Sequence, residues 1–186
     1  MSSEPQIYLA LVHYPILNQA GKEVTTSVTN LDVHDIARIA KTYDCKGYFI
    51  VTPIDAQRQM ITKLRHHWDK GSGPLLDHPR RVALELITPV ASLKEAAEQI
   101  LKKENEYPTL VATSARANRK AVSFAEMRRL IHKTGPVLLV FGTGWGLAEQ
   151  AMGLCNIGLE SINGVNGYNH LPVRAAVAIV LDRLLA

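Results

Sequence analysis

The amino-acid sequence predicts an α/β protein with a mainly parallel sheet and helices on both faces. Three observations carry that reading. Short, β-rich apolar runs alternate with segments whose apolar residues recur at helical spacing, the pattern of repeated strand and helix units. The run Val137-Leu-Leu-Val-Phe141 contains no polar residue and reads as a strand buried on both faces. The chain has 186 residues and no internal repeat or linker divides it, so a single domain spanning residues 1–186 is expected.

The elements follow in order. Gln6 to His13 is a strand bounded by Pro5 and Pro15, and the polar stretch Asn18 to Asn30 is a loop. Leu31 to Asp44 is a helix on the spacing of Ile36, Ile39, Ala40 and Tyr43, with Asn30 or Asp32 to cap it and Asp35 to favour its first turn. Gly47 to Thr52 is a strand stopped by Pro53, and Asp55 opens a helix with Met60, Ile61, Leu64 and Trp68 on one side. Arg81 to Thr88 reads as a strand. Ser92-Leu-Lys-Glu95 is a capping box for a helix reaching about Glu104, and Thr109 to Thr113 is the next strand. A second capping box, Ser123-Phe-Ala-Glu126, leads into Met127, Leu130 and Ile131. After the buried strand come a glycine-rich turn, a short helix at Leu147 to Met152, a strand near Ile157 to Ile162, a second glycine-containing loop and a final helix from Pro172 to Leu185.

Composition narrows the class. Hydrophobic residues at 47% and charged residues at 20% exclude a disordered chain, and the 12 glycines and 9 prolines are too few for a collagen-like repeat. A net charge of +4 permits an anionic partner without requiring one. Cys45 and Cys155 lie far apart and form no CxxC pattern, and His66-His67 and His132 lack ligand spacing, so neither a disulfide framework nor a metal site is expected. No apolar run approaches the ~20 residues of a membrane span, and Met1 to Pro5 lacks the features of a signal peptide. These readings predict a cytoplasmic protein in a reducing compartment.

Chemistry concentrates near the carboxyl terminus. The buried strand runs directly into Gly142, Gly144 and Gly146, where absent side chains let a ligand approach backbone N–H groups. The competing reading is a tight strand-to-helix turn. A dinucleotide fingerprint is a minor alternative: position 147 is Leu147 where a third glycine is needed, although Glu160 falls at about the expected spacing of ~20 residues. No GK[ST] follows for a P-loop. The second stretch, Ser161 to Ala176, holds Gly164 and Gly167, the carboxamides of Asn163, Asn166 and Asn169, and a helix start at Leu171-Pro172.

Together these two stretches resemble the carboxyl-terminal signature of the SPOUT superfamily, the α/β-knot RNA methyltransferases: apolar strand, glycine-rich turn, short helix, strand, then an Asn/Gly loop feeding the Ala-rich helix Arg174-Ala-Ala-Val-Ala-Ile-Val-Leu181. The FGTGWGL wording is similar to a compact bacterial family within it. The resemblance implies a deep trefoil knot, S-adenosylmethionine as methyl donor, RNA (tRNA or rRNA) as substrate, a homodimer and no metal. It places the cofactor at Ala112, Thr113 and Ser114, at Phe141, Gly142, Thr143 and Gly144, and at Ile162, Asn163 and Gly164 with Tyr168, Asn169 and Leu171. Many members carry an acidic residue soon after the first glycine of the middle loop, where this chain has Thr143-Gly144.

Asn30-Leu-Asp-Val-His-Asp-Ile-Ala-Arg38 is similar to the polar-residue-then-arginine motif of some members. Asp32, Asp35 and His34 are candidate proton acceptors, and Arg38 a candidate for gripping phosphate or base; the plainer reading gives both aspartates to the helix terminus and Arg38 to solvent. Arg116, Arg119 and Lys120 are candidate substrate contacts because they follow the strand bordering the cofactor loops, and Trp145 is a candidate cover for the pocket. The predicted function is S-adenosylmethionine-dependent RNA methylation. The alternative is a non-catalytic RNA- or nucleotide-binding regulator on the same scaffold, favoured by Thr143-Gly144; an NAD-binding protein is the minor alternative.

Overall fold

The structure, a computed structural model, describes residues 4–70, 79–116 and 121–186. In chain order the main elements are β1 (Ile7–Val12), β2 (Ile16–Leu17), β3 (Glu23–Val24), α1 (Asn30–Thr42), β4 (Gly47–Val51), α2 (Asp55–Lys70), α3 (Pro79–Leu84), β5 (Ile87–Val90), α4 (Leu93–Glu104), β6 (Thr109–Ala112), α5 (Phe124–Leu130), β7 (Val137–Gly142), α6 (Glu149–Met152), β8 (Ile157–Gly158) and α7 (Val173–Leu185). Six strands form one sheet in the order β5-β4-β1-β7-β6-β8, and every pairing is parallel. β2 and β3 form a separate antiparallel hairpin, whose second strand lies inside the stretch expected to be loop.

Side chains alternate across a strand, so β1 feeds two cores. Ile7, Leu9 and Leu11 pack on one face with Val33 and Ile36 of α1, Ile61 of α2, Met127 of α5 and Leu181 of α7. Tyr8, Ala10 and Val12 pack on the other with Leu93, Ala97 and Ile100 of α4 and Ala151 of α6. The expected arrangement, a parallel sheet with helices on both faces, is therefore present. No helix among the described residues is long and apolar enough to cross a membrane.

Both serines of the expected capping boxes cap their helices. Ser92 accepts from the Glu95 amide and Ser123 from the Glu126 amide. Three expectations are corrected. The residues 81–88 are not one strand: Pro79–Leu84 is α3, tied by an Arg81–Glu85 ion pair one turn apart, and β5 begins only at Ile87. Ala83 and Leu84 are both buried, which helical neighbours on one side satisfy and strict strand alternation does not. Thr29, not Asn30 or Asp32, caps α1; its extended backbone lets Oγ1 accept from the Asp32 amide at 3.2 Å. The strand expected to reach Ile162 stops at Gly158, beyond which Leu159 bridges Val122 at the sheet edge. Pro89 lies in β5, which has no second strand partner, as a residue without an N–H requires.

Leu139 is fully buried in the central strand β7. Leu139→Ala is expected to cost about 2–5 kcal/mol, read as a lower urea midpoint with an unchanged denaturant slope.

Candidate functional site

β4 and β5 step outward from β1 in one direction; the chain then crosses back to place β6, β7 and β8 on the other side. The connection after β6 leads to α5 on one face, while the connection after the neighbouring β7 leads to α6 on the opposite face. Diverging connections open a crevice at the carboxyl ends of adjacent parallel strands. Here that crevice is a cavity of about 820 Å³, within the ~300–1,000 Å³ range of small-molecule sites. Its walls are Thr113 to Arg116 after β6, Phe141 to Gly146 after β7, Glu160 and Ile162 after β8, and the start of α7, closed on one side by Asp32 of α1.

The glycine-rich wall is shaped by the chain's own packing. A Cβ on Gly142 would meet the Leu147 nitrogen at 2.7 Å, and one on Gly144 would meet Ile16 Cδ1 at 2.9 Å and the Leu17 carbonyl at 3.1 Å. Gly144 and Gly146 have φ of +56° and +102°, in the left-handed region. The hairpin anchors the turn: the Trp145 amide donates to the Leu17 carbonyl at 3.0 Å, and the Leu17 amide to the Gly146 carbonyl at 2.8 Å. The tight-turn and binding-loop readings are thus not exclusive. The amides of Thr143, Trp145 and Gly146 are engaged internally, whereas those of Ser114, Gly144 and Ile162, like several in the loop before α7, form no hydrogen bond among the described residues.

The proton inventory of Thr143 determines a tautomer beneath this wall. Its hydroxyl donates to the Val12 carbonyl at 3.0 Å, so the 2.6 Å contact with Thr26 must be a donation from Thr26. Thr26 Oγ1 then accepts from His13 Nδ1 at 3.0 Å, which puts the imidazole proton on Nδ1. His13 Nε2 is left as a buried lone pair with no partner among the described residues. Burial pushes the His13 imidazole down to about 4, against the opposing pull of the Asp32 carboxylate.

A second polar cluster joins α1 to α7. Asp32, 8% exposed, accepts from the Thr29 hydroxyl at 2.7 Å and meets Arg174 Nη1 at 3.6 Å. Arg174 Nε also meets Asp35 at 3.5 Å, and Asp35 meets Arg38 at 3.9 Å. Asp32 and Arg174 line the cavity; Asp35 and Arg38 do not. The Arg38 side chain is 59% exposed. His34 is half-buried against Trp68, its basicity lowered by burial and by Arg80, and lies away from the cavity wall.

Of the expected cofactor residues, Thr113, Ser114, Phe141, Gly142, Thr143, Gly144, Ile162, Asn169 and Leu171 line the cavity. Ala112 lines a smaller adjoining cavity of about 210 Å³. Asn163, Gly164 and Tyr168 lie outside the wall, in a loop folded so closely that the Tyr168 carbonyl fills the place of a Gly164 Cβ. Asn169 staples this loop to the segment after β6, its Nδ2 donating to the Ala115 carbonyl at 2.7 Å. Arg116 and Trp145 line the wall, while Arg119 and Lys120 lie outside the described residues. Glu160 also lines it, but its carboxylate accepts the Phe124 amide at the start of α5 at 2.5 Å, which occupies the acid required by a dinucleotide fingerprint. Sequence reasoning missed Arg174, His170 and His13. Arg174 at the start of the last helix was a legible signal; its pairing with Asp32 was not. Among the described residues no three His, Cys, Asp or Glu side chains gather where they could hold a metal ion.

Because the folded-state pKa of His13 lies below its unfolded value of about 6.5, the unfolded chain binds the extra proton first as pH falls. The stability that His13 contributes is fully present above that value and is lost down to about 4. Urea denaturation between pH 7 and 4 is expected to show a loss on the order of 3 kcal/mol from this group, and His13→Gln should flatten that part of the profile.

The chain is 43% identical over 179 residues to a tRNA (guanine-N(1)-)-methyltransferase of Oleidesulfovibrio alaskensis, covering 96% of this chain and 42% of the relative, so it spans about two-fifths of that protein's length. It is 40% identical over 181 residues to an uncharacterized protein of Aquifex aeolicus, covering 97% of this chain and 88% of that one. The fold is similar to the SpoU methyltransferase AviRb of Streptomyces viridochromogenes, whose structure is in complex with AdoMet, at a TM-score of 0.61 and 14% identity over 98% of this chain and 60% of that chain. A family model described as SAM-dependent RNA methyltransferase matches residues 6–186, from the strand that His13 follows to the helix that bears Arg174. The SPOUT resemblance is borne out, and the chain belongs to this family of SAM-dependent RNA methyltransferases.

Proposed function

We propose that the cavity at the ends of β6, β7 and β8 binds S-adenosylmethionine and that the chain methylates a nucleotide of tRNA. The single observation that carries this reading is the wall itself: amides of Ser114, Gly144 and Ile162 without a hydrogen-bond partner among the described residues, beside the apolar Phe141 and Leu171. Adenine offers hydrogen-bonding edges and two apolar faces, which such a wall matches without charged side chains. When bound, the sulfonium supplies an already activated methyl group, so the chain's own task is to hold the donor and acceptor in line and remove a proton.

Asp32 is the carboxylate placed for that proton. It is nearly buried, held by Thr29 and faced by Arg174. Arg174 orients the carboxylate and adds a positive charge to the side from which a phosphate or a base carbonyl would enter. Arg38, exposed on α1 and outside its own chain's wall, suits a contact with RNA or with a second copy's site. Trp145 and Arg116 form the substrate side of the wall. The reading extends to a trefoil knot formed by threading α7, a homodimer, a metal-free reaction and a cytoplasmic location.

One observation favours the regulator reading. The Thr143 hydroxyl is engaged by Val12 and Thr26, and Gly144 has no side chain, so the middle loop presents no acid to a substrate. Calorimetry with S-adenosylmethionine, followed by labelled methyl transfer to bulk tRNA and rRNA, separates the readings. Binding with label in tRNA is expected; binding with no labelled RNA favours the regulator, and no binding overturns the cofactor reading. Asp32→Asn keeps the shape and the Thr29 contact, and is expected to lower methyl transfer roughly 100-fold or more while leaving the calorimetric cofactor affinity within a few fold.

A further inference from the structure

The mouth of the cavity carries three aromatic rings from two separate loops. Trp145 stands in the glycine-rich loop, and Tyr168 and His170 stand in the loop before α7. Trp145 and His170 meet edge to face with centroids 6.0 Å apart and planes at 71°; Tyr168 and His170 do so at 5.5 Å and 63°. Trp145 and His170 line the wall, and Tyr168 extends the row outward. Trp145 is 47% exposed and Tyr168 69% exposed.

Holding two large rings in water is unfavourable unless something covers them. Here the exposure is built into the backbone. The two hydrogen bonds to Leu17 and the left-handed glycines on either side hold the Trp145 backbone in a turn at the surface. The opposing loop is equally constrained: Gly167 has φ of +82°, the Tyr168 amide donates to Asn166 Oδ1 at 3.3 Å, and Asn169 is stapled to Ala115. The backbone under the row is therefore held from both loops, with Arg116 and Arg174 in the same wall. Aromatic rings beside cations are the chemistry that holds unpaired nucleobases, whose π-faces stack on the rings while phosphates meet the charges. A base inside a duplex cannot bring its acceptor atom into a recessed wall such as that of Asp32.

We infer that the Trp145–His170–Tyr168 row is a stacking platform for an unpaired nucleotide, so that the substrate is RNA presenting its target base in a single-stranded or extruded form. This rests on the RNA methyltransferase reading of the cavity and adds to it the form in which RNA is accepted.

Trp68 and Trp145 are the two tryptophans of the chain, so Trp68→Phe makes fluorescence report on Trp145 alone. That protein, saturated with S-adenosylhomocysteine, is titrated at fixed salt with an unstructured RNA oligonucleotide and with the same RNA annealed to its complement. The single strand is expected to quench Trp145 and the duplex to leave it unchanged. Fluorescence anisotropy with labelled RNA provides the same comparison in the wild-type background should Trp68→Phe fail to fold. There, Trp145→Ala is expected to weaken single-strand binding roughly fivefold to a hundredfold, Tyr168→Ala and His170→Ala less, and Trp145→Phe least.

Equal binding of both RNA forms together with an unaffected Trp145→Ala variant overturns the inference while leaving the RNA reading intact. So does a Trp145→Ala protein that sediments as a smaller species, which makes the row a contact between two copies of the chain. A Trp145→Ala protein that loses S-adenosylhomocysteine affinity in parallel assigns the ring to the cofactor and likewise overturns it. Wild-type protein that binds neither RNA form brings down both readings.

Discussion

The space at Gly142 admits no side chain, and the site is organised around that restriction. β7 ends there in register with Val12 of β1, and the chain returns so closely that the Leu147 nitrogen occupies the place of a Cβ. The return lets Ile16 bridge Leu147 and lets the Ala148 amide reach the Pro15 carbonyl. Leu147 is thereby drawn into the core on one face of the sheet, while the loop's other side is left as an open wall with an amide at Gly144. A bulkier residue at 142 would separate the loop from the hairpin, and both the wall and the position of Trp145 would be lost with it.

The terminal helix supplies the second dependence. α7 buries Val177, Val180, Leu181 and Leu184 against the same core as α1 and α5. Tyr43, the C-cap of α1, donates to Asp182 at 3.0 Å, and Arg128 of α5 donates to the Arg183 carbonyl at 2.9 Å. These contacts fix the far end of the helix, and its near end then delivers Arg174 to Asp32 and Asp35. Apolar burial carries the docking, since partly exposed ion pairs contribute little to stability. The value of the Arg174 contacts lies in where they hold a carboxylate.

Elements whose signals are local were legible in the residues. Ser92 and Ser123 cap their helices because each motif brings its partner amide within one turn. The apolar Val137-Leu-Leu-Val-Phe141 run is buried throughout and central in the sheet. Arg81 to Thr88 misled because Val82, Leu84 and Leu86 alternate like a strand, although contact with α1 selects a helix for its first half. The residue types do not single out Thr29 as the cap, because Asn30 and Asp32 are equally good capping types and only the backbone angles distinguish them.

The glycine-rich and Asn/Gly loops stood out as chemistry before any fold was known, because glycines and carboxamides at a strand end leave backbone groups accessible. Periodicity likewise identified which segments are helices and strands, since it depends on residues a few positions apart. Which loops meet is a different matter. Asp32 faces Arg174, His13 is linked through Thr26 to Thr143, and Trp145 touches His170 across two loops. These pairs are set by strand order and by how α7 docks, both long-range packing outcomes that leave no trace in the spacing of neighbouring residues.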